Sequence, residues 1–400
     1  MDKRYENFII FLAPFINSVA GIAIDLYAPS LPSIGREFSV NSTIMQNTIT
    51  ITLLGYAIGQ LFFGFMSDYY GRRKAINFGL VLFIVGSLIS MFSSDITTLL
   101  IGRAIQGFAI GACQVVARAV LVDNIKGERF YIAILYLSLA FGLGPVIAPY
   151  IGGYVEELAG WRYNFLLYSV YSFTILLFVY FGLKESLDPA HKKHPFESMK
   201  GIKLMLADIR FSSGIIVLGT SFSSFLIWNV IGPFIVQEHL SLSSSFFGQT
   251  ALGVGLCYLV GTLANRVLVK SFKPFKLMGL GLLLYGAGLI VIIFNLNGID
   301  LYTVLIGTMF IAFGQGFLFS NAMAKCMSLF VDRAGTSASL QGCLMLLIGS
   351  TVTALTSQIT ITSNLNVAEI FILLFLIQLA SVIVLIKSSS TRYAVQAQES

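Results

Sequence analysis

The sequence predicts an all-α membrane protein in which about twelve helices cross the lipid bilayer. Hydrophobic residues make up 56% of the 400-residue chain and charged residues only 11%, whereas soluble domains contain about 25% charged residues. Apolar runs longer than about 18 residues recur from Phe8 to Ile386 with short polar breaks between them. A soluble fold could not bury so many long apolar segments, so lipid is the expected solvent.

Each apolar run is long enough to cross about 30 Å of hydrocarbon as a helix. The expected spans are residues 8–35, 43–67, 74–94, 97–121, 129–154, 163–184, 211–237, 244–267, 275–295, 301–325, 335–360 and 366–387. Lys3 and Arg4 precede the first run, as they would in a signal peptide. The run continues past Pro29 without a small-residue cleavage site, so it is expected to remain as the first span.

The distribution of basic residues predicts the orientation of the chain. An even number of spans places both termini on one side, and all but three of the 25 Lys and Arg residues lie on that side. The exceptions are Arg36 and Arg162 in opposite loops and Arg103 inside a span. Both termini are therefore expected to be cytoplasmic. The basic residues form no continuous stripe, so nucleic acid is not an expected partner.

A polar connection, residues 185–210, divides the chain into an N-terminal six-helix bundle (1–184) and a C-terminal bundle with a short cytoplasmic tail (211–400). This cytoplasmic linker carries Asp188, Pro189, Lys192, Lys193, Glu197, Lys200, Lys203, Asp208 and Arg210. Such a polar segment is not expected to be buried. The division predicts two pseudo-symmetric bundles, as in many transporter folds.

Three short motifs of the first half recur at equivalent places in the second half. Gly64-x3-Asp68 is echoed by Gly261-x3-Asn265, Gln106-Gly107-Phe108 by Gln315-Gly316-Phe317, and Asp25-x3-Pro29 by Asn229-x3-Pro233. These echoes favour an internal repeat. In the second half the ionisable side chains are replaced: Asn229 stands for Asp25, Asn265 for Asp68 and Ala312 for Arg103. Any proton coupling is therefore expected in the first half.

Asp25 and Arg103 are the expected polar centre of the first half. In a continuous first span Asp25 would lie about 15 Å deep and Arg103 about 9 Å deep. A charge at such depth is costly, so each side chain is expected to face a cavity, to pair, or in the case of Asp25 to be protonated. Desolvation and a nearby guanidinium act in opposite directions on a carboxyl and can leave it ready to exchange a proton. The alternative is a fixed Asp–Arg pair that holds two helices together.

A short basic motif covers the end of the second span and the loop after it. It contains Gly64, Asp68, Gly71, Arg72 and Arg73, followed by Lys74. Gly71 permits an unusual backbone conformation, and Asp68 can accept hydrogen bonds from a helix N-terminus or an arginine. A loop that only sets topology would explain the three bases but not an acid at the end of an apolar span. We therefore expect an ionic latch here.

The fifth span combines close-packing and helix-breaking residues: Gly142, Gly144, Pro145, Pro149, Gly152 and Gly153. Glycines allow close helix contact and prolines interrupt the backbone hydrogen bonds. Gly144, Pro145, Pro149, Gly152 and Gly153 are therefore the expected bending or sliding interface, with an ordinary close-packed helix pair as the alternative.

Polar and aromatic side chains in the spans are the candidates for lining a central substrate cavity. They are Tyr27, Asn47, Tyr56, Gln60, Gln106, Gln114, Tyr136, Trp228, Asn229, Tyr258, Asn321 and Gln341. Any of them could instead bridge helices. A cavity of apolar, aromatic and amide groups with one acid suits bulky amphipathic molecules better than sugars or phosphate.

Several function classes are disfavoured by what the spans contain. The four cysteines, Cys113, Cys257, Cys326 and Cys343, show no metal-ligand spacing, and His191, His194 and His239 lie in connecting segments. No metal and no cofactor are expected. The spans offer neither histidines nor paired acids for an enzyme, and there is no phosphate-binding Gly-x4-Gly-Lys-Ser/Thr loop for an ATP-driven pump. A channel would leave Asp25, the only deep carboxyl found, without a coupling role.

The chain resembles the major facilitator superfamily, in particular its drug/proton antiporter branch of bicyclomycin and chloramphenicol resistance exporters. Residues 64–74 are similar to the loop signature after span 2, although Tyr69 stands where a base is common. Arg103 with Gln106-Gly107 resembles the span 4 signature, and Gly144-Pro145 with Gly152-Gly153 resembles the antiporter signature of span 5. Residues 25–32 and 334–339 resemble the opening and span 11 of the bicyclomycin-type group.

That resemblance implies roles for several residues. Asp25 would be the protonation site, Arg103 its modulator, and Asp68 with Arg72 part of a cytoplasmic gate. The expected function is export of small amphipathic organic molecules in exchange for protons by a monomer in a bacterial inner membrane. The alternative is a dedicated transporter of one metabolite or siderophore, since one fold hosts many substrates.

Overall fold

The computed structural model describes residues 3–187, 201–295, 298–330 and 334–399. Within these residues the secondary structure is helical, without a strand. The α-helices are α1 (Lys3–Ile22), α2 (Leu31–Phe38), α3 (Ser42–Tyr70), α4 (Arg72–Met91), α5 (Ile96–Asn124), α6 (Glu128–Ala159), α7 (Trp161–Gly182), α8 (Ile202–Ala207), α9 (Ile209–Phe234), α10 (Ser244–Leu268), α11 (Pro274–Ile293), α12 (Leu301–Leu329), α13 (Ala334–Thr356) and α14 (Asn364–Glu399).

Twelve of these helices are long and apolar enough to cross a membrane. Eleven of them coincide with predicted spans, with ends that differ by a few residues, and the first, Lys3–Ile22, ends earlier than predicted. The predicted fold class is confirmed. Most of the predicted linker, including Asp188, Pro189, His191, Lys192, Lys193, His194, Glu197 and Lys200, lies outside the described residues.

The first span is not the continuous helix that was predicted over residues 8–35. Helix α1 ends at Ile22, residues 23–27 form turns, and a 3-10 helix at Ala28–Ser30 leads into α2. Pro29 and Pro32 explain the break, because each lacks a backbone N–H donor and its ring clashes with the carbonyl four residues earlier. The depth of about 15 Å expected for Asp25 assumed a continuous helix and does not apply.

The chain forms two compact units, Met1–Met199 with Val236–Leu252, and Lys200–Ile235 with Gly253–Ser400. In the first unit α5 packs along α3 and α4, while α1 packs against α6. Segment 236–252 belongs to this unit through contacts such as the hydrogen bond from Gln237 Nε2 to Pro29 O, 2.7 Å. The domain boundaries at 184 and 211 remain predictions.

Glycines allow α3 and α5 to pack backbone to backbone. A Cβ atom at Gly107 would meet the backbone of Thr52, and one at Gly111 would meet the backbone of Gly59. In the second unit the equivalent pair, α10 and α12, shows the same arrangement, because a Cβ atom at Gly316 would meet the backbone of Thr262 at 2.5 Å. Small residues at such positions are typical of membrane helices whose backbones approach closely.

The second unit is organised around α9, which packs against α12, α13 and α14, while α11 packs against α12. The motif Asn229-x3-Pro233, which repeats Asp25-x3-Pro29 of the first half, does not interrupt its helix. Helix α9 continues through Asn229 and Pro233 and ends in a π-helical turn at Ile235–His239.

Candidate functional site

The break in the first span frees a backbone carbonyl that two side chains bind. Ala23 O accepts hydrogen bonds from Arg103 Nη2 at 3.2 Å and from Tyr168 Oη at 3.0 Å. Tyr168 Oη also lies 3.2 Å from Ile22 O. Since an unpaired buried carbonyl is costly, these contacts from α5 and α7 stabilise the interrupted helix.

Asp25 lies inside this break, and only 3% of its surface is exposed. Its backbone N–H donates to Ile22 O at 3.2 Å, and its carbonyl accepts from the N–H of Ala28 at 3.2 Å. The carbonyl that Arg103 binds belongs to Ala23, two residues earlier in the chain. The structure therefore places the two predicted ionisable residues at the same break in the first unit.

Arg103 is fully buried and connects three helical segments. Its guanidinium carbon lies 4.0 Å from the centre of the Tyr27 ring, and its Nη1 donates to Gln106 Oε1 at 2.7 Å. Gln106 Nε2 in turn donates to Ser87 Oγ on α4 at 2.7 Å. The Tyr27 hydroxyl contacts Thr48 Oγ1 on α3. These contacts hold Arg103 in a fixed orientation beside the break.

Two predicted cavity residues have other structural roles. Gln106 is fully buried, and both ends of its amide are hydrogen-bonded inside the first unit, which favours the helix-bridging alternative. Asn321 donates to Asn265 Oδ1 on α10 at 2.7 Å, which makes it a bridge between two helices of the second unit. A helix-bridging role was the alternative interpretation for each candidate.

The remaining cavity candidates differ in their exposure. Gln60 Nε2 contacts Gln114 Oε1, which connects α3 to α5. Tyr136 is 49% exposed on α6, whereas Tyr56, Trp228 and Asn229 are buried. Gln341 Nε2 donates to Ser337 Oγ at 3.1 Å, the ring of Tyr258 packs against that of Phe225 at 4.9 Å, and Asn47 is partly buried.

The predicted latch residues meet at the C-terminal end of α3. Arg72 contacts Asp68 through Nη1, donates to Asp123 Oδ2 through Nε at 3.0 Å, and donates to Ser67 Oγ at 2.9 Å. Asp123, at the end of α5, was not part of the predicted latch. One guanidinium thus binds two carboxylates from two different helices, an arrangement that favours planar, charge-assisted hydrogen bonds.

Glu185, which sequence analysis did not select, binds the N-terminus of α4. Its Oε1 accepts from the backbone N–H of Arg72 at 2.8 Å and its Oε2 from that of Arg73 at 3.2 Å. The first N–H groups of a helix have no intrahelical partner and attract anions. Gly71 is required between the helices, because its φ is +111° and a Cβ atom there would meet the Glu185 carboxylate.

Arg73 connects the same loop to the C-terminal end of α7. Its Nη2 donates to Tyr180 O at 2.6 Å, and its guanidinium lies 5.7 Å from the centre of the Tyr180 ring. Gly64 would accommodate a Cβ atom, which would meet Val115 Cγ1 at an ordinary contact distance of 3.7 Å.

The glycines of α6 face the broken first span. A Cβ atom at Gly144 would meet the Gly21 backbone, and one at Gly152 would meet the Leu26 backbone. A Cβ atom at Gly153 would meet Ser244 O at 2.5 Å. The helix itself remains continuous through Pro145 and Pro149. Its close-packed face therefore lies directly against the segment that contains Asp25.

Helix α6 also carries a carboxyl that the predicted span 129–154 excluded. The helix continues to Ala159 and includes Glu156, whose Oε1 accepts from Ser33 Oγ of α2 at 2.5 Å. Glu156 is partly buried and was not considered among the candidate carboxyls. It lies one turn from the helix end, whereas Asp25 lies in the break.

Two acids outside the membrane-spanning segments have lowered pKa values. Glu37 accepts from Arg162 Nη2 at 2.8 Å and from Trp161 Nε1 at 2.6 Å. These hydrogen bonds, that of Arg162 first, lower the pKa of the Glu37 carboxyl. The hydrogen bond from Arg210 lowers the pKa of Asp208 where the described chain enters α9. Both carboxyls stay charged and hold their partners over the neutral pH range.

Twelve membrane-spanning helices and an ionic cluster between the second and third spans define a polytopic membrane transport protein. The family model of the Major Facilitator Superfamily matches residues 14–354, and the chain belongs to that family.

Several curated relatives cover most of the chain. An uncharacterised MFS-type transporter, YdgK, of Bacillus subtilis (strain 168) is 28% identical over 357 residues, which are 87% of this chain and 88% of the relative. Multidrug resistance protein D of Escherichia coli (strain K12) is 26% identical over 356 residues, 88% of each chain. Multidrug resistance protein MdtL of Vibrio parahaemolyticus is 26% identical over 323 residues, 80% of this chain and 81% of the relative.

Solved structures of transporters share the fold. The crystal structure of a D-xylose-proton symporter has a TM-score of 0.76 at 17% identity and covers 95% of this chain and 97% of its own. A bacterial homologue of the human lysosomal transporter Spinster has a TM-score of 0.74 at 14% identity and covers 98% of each chain. At these identities the likeness shows the fold alone.

Proposed function

We propose that this major facilitator protein exports small amphipathic organic molecules in exchange for protons. The observation that carries the proposal is the Asp25 carboxyl, which is 3% exposed and lies in the break of the first span. Ionisable residues within membrane spans are costly and mark ion or substrate pathways. A bacterial inner membrane, cytoplasmic termini and a monomeric state are part of this proposal.

Asp25 is proposed to exchange protons because its surroundings act on the carboxylate in opposite directions. Burial disfavours the charged form, while the positive charge of Arg103 at the same break favours it. A small change in the position of the broken segment alters that balance. Substrate binding would then release the proton in one facing state, and proton binding would release substrate in the other, because linked ligands affect each other reciprocally.

The ionic cluster of Asp68, Arg72 and Asp123 is proposed as the cytoplasmic gate. The cluster joins the ends of α3 and α5 through Arg72, so its formation favours one facing state over the other. The glycine face of α6 is proposed as the sliding surface. It contacts the broken segment at Leu26, so movement of α6 would shift the backbone beside Asp25.

The proposed substrate class rests on side chains and on relatives. Tyr27, Tyr56, Gln60 and Gln114 offer aromatic and amide groups, which suit amphipathic molecules. The relatives in Escherichia coli and Vibrio parahaemolyticus bear the name of multidrug resistance proteins. This name favours export of diverse compounds.

Proton coupling at Asp25 can be tested with the variant Asp25→Asn, which keeps the shape of the side chain but cannot titrate. A thermal stabilisation screen with ethidium, chloramphenicol and 1-pyrenebutyrate first identifies a ligand of each charge class. Proton release on ligand addition is then measured in weak buffer, together with binding. We expect Asp25→Asn to bind ligand but to release no proton and to concentrate no substrate in proteoliposomes.

The matched control is Glu157→Gln, which neutralises an exposed acid on α6 and should leave proton release unchanged. Undiminished proton release from Asp25→Asn with intact binding would show that another group carries the proton. Glu156→Gln is the variant to compare in that case.

A further inference from the structure

Helix α5 carries a second arginine within the span, Arg118, six residues before the helix ends at Asn124. Six residues correspond to about 9 Å of helix. Arg118 is partly buried, and within the described part of the chain its guanidinium has no hydrogen-bond or ion-pair partner. In the distribution of basic residues it belongs with the bases expected on the cytoplasmic side. A guanidinium in a span is expected to face a water-filled cavity, a partner or a ligand.

The helical positions place Arg118 on the side of α5 that faces α3. At 100° per residue, Arg118 lies within about 20° of both Gly107 and Gly111 on the helix surface. Both glycines lie against the α3 backbone, Gly107 at Thr52 and Gly111 at Gly59. Arg118 therefore continues the α3–α5 seam toward the cytoplasm.

The two helices are joined on either side of Arg118, and α3 presents no side chain at the level between these contacts. The Gln60–Gln114 contact joins α3 to α5 one turn before Arg118, and after it Arg72 contacts both Asp68 at the end of α3 and Asp123 at the end of α5. Between these two contacts α3 presents Gly64, which has no side chain. A Cβ atom at Gly64 would meet only Val115 Cγ1, at an ordinary 3.7 Å.

Gln60, one turn before Gly64 on α3, belongs to the same seam through its contact with Gln114. Its Oε1 is buried and has no hydrogen-bond partner among the described residues, and the Tyr56 hydroxyl one turn earlier lies beside the Gln60 side chain. Tyr56 and Gln60 are 1% and 2% exposed. Tyr56, Gln60 and Gly64 are spaced four residues apart, so they lie along one face of α3. Buried polar atoms without partners require an explanation, and a ligand that is bound during transport supplies one.

We propose that Arg118 binds the anionic group of the transported molecule, so that the substrate class is amphipathic organic anions with a carboxylate. The flat guanidinium can donate two parallel hydrogen bonds to a carboxylate. Gln60 Oε1 then accepts a hydrogen bond from the substrate. This assignment rests on the proposed function, because it places the anion in the cavity of an exporter.

The test compares two probes that differ only in charge, 1-pyrenebutyrate and its neutral amide 1-pyrenebutanamide. Their binding to the full-length protein in neutral detergent is followed by fluorescence anisotropy. We expect the wild type to bind the carboxylate about tenfold more tightly than the amide, the usual scale for a hydrogen bond to a charged group. Equal affinity for the two probes, or binding of neither, would overturn the proposal.

Variants assign the preference to Arg118. Arg118→Gln should weaken carboxylate binding about tenfold and leave amide binding unchanged, because only the charge-assisted contact is lost. Arg266→Gln removes the same charge from an exposed position in the last turn of α10 and should change neither affinity. A carboxylate preference that survives in Arg118→Gln would exclude Arg118 as its source.

A second variant covers the case in which Arg118→Gln does not fold, as judged by size-exclusion chromatography. Arg118→Lys keeps the charge but cannot form the paired hydrogen bonds, so carboxylate affinity should fall severalfold. Wild-type carboxylate affinity in Arg118→Lys would contradict the assignment to the guanidinium.

Phospholipid phosphate carries the same charge as the proposed ligand, and the assay distinguishes the two sources. Added phosphatidylglycerol should displace 1-pyrenebutyrate no better than phosphatidylcholine does. Selective displacement by phosphatidylglycerol would identify a lipid headgroup as the occupant and overturn the substrate assignment. Proton release with ethidium or chloramphenicol does not depend on Arg118, so failure of the anion preference and failure of proton coupling are separate results.

Discussion

At the scale of single residues, the two arginines of α5 have different surroundings. Arg103 binds Ala23 O, Gln106 and the Tyr27 ring, whereas Arg118 has no hydrogen-bond partner among the described residues. The sequence is compatible with two roles for Arg103, modulating a proton site or holding two helices together. The contact with Ala23 O favours a structural contribution, because it binds the carbonyl that the helix break leaves free.

A conservative variant of Arg103 separates its charge from its hydrogen bonds. Arg103→Lys keeps the charge but loses at least one of the contacts with Ala23 O and Gln106. Lost hydrogen bonds to a charged group cost about 1.5–3 kcal/mol each, so the thermal unfolding temperature should fall by several degrees. Ser87→Ala, which removes only the distant end of the network, should lower it less. Unchanged stability of Arg103→Lys would limit Arg103 to an electrostatic role.

At the scale of helices, the face of α6 is shaped by the absence of side chains. Gly144 and Gly152 lie against the backbone of the first span, while Gly142 on the same helix has no neighbouring atom within 4 Å of an added Cβ. The two prolines leave the helix continuous. The contact with the broken span, and not a kink in α6, is therefore the notable feature of this segment.

Alanine substitutions on α6 should have opposite effects at two glycines. Gly152→Ala places a methyl group against Leu26 backbone and should destabilise the protein by about 1–3 kcal/mol, the usual cost of overpacking. Gly142→Ala meets no atom and should stabilise the helix by about 0.5–1 kcal/mol. Thermal unfolding of both variants, with transport measured alongside, checks this prediction. Equal effects of the two substitutions would show that α6 and the first span separate easily at Leu26.

The gate prediction concerns the junction of α3, α4 and α5. Asp68→Asn weakens one of the two carboxylate contacts of Arg72, so the protein should insert normally but switch between facing states less efficiently. We expect turnover in proteoliposomes to fall severalfold. Asp208→Asn breaks another acid–arginine pair, at the start of α9, and serves as the matched control. Normal turnover of Asp68→Asn would remove Asp68 from the mechanism.

At the scale of the whole molecule, the distribution of bases and the number of spans predict cytoplasmic termini and a cytoplasmic linker. A cysteine at position 193, in a background without the four native cysteines, should react with a membrane-impermeant maleimide only after the cells are opened. A cysteine at Ser39, which follows α2, should react in intact cells. Labelling of position 193 from outside would invert the proposed topology.

The sequence by itself determined the helical membrane fold, the twelve spans and the family. Hydropathy is a local property, and a run of about 20 apolar residues has few alternatives to a spanning helix. The contact between Asp68 and Arg72 could be predicted in the same way, because side chains four residues apart can meet across one helical turn.

Only the tertiary structure decided which distant residues join these local features. Glu185 caps α4 from 113 positions away, Asp123 completes the contacts of Arg72, and Gln106 is hydrogen-bonded to Arg103 and Ser87 inside the first unit. The surroundings of Arg118 depend on the absence of an α3 side chain at Gly64. Such contacts depend on how the helices pack against one another. The spacing of residues along the chain does not reveal which residues of different helices will touch.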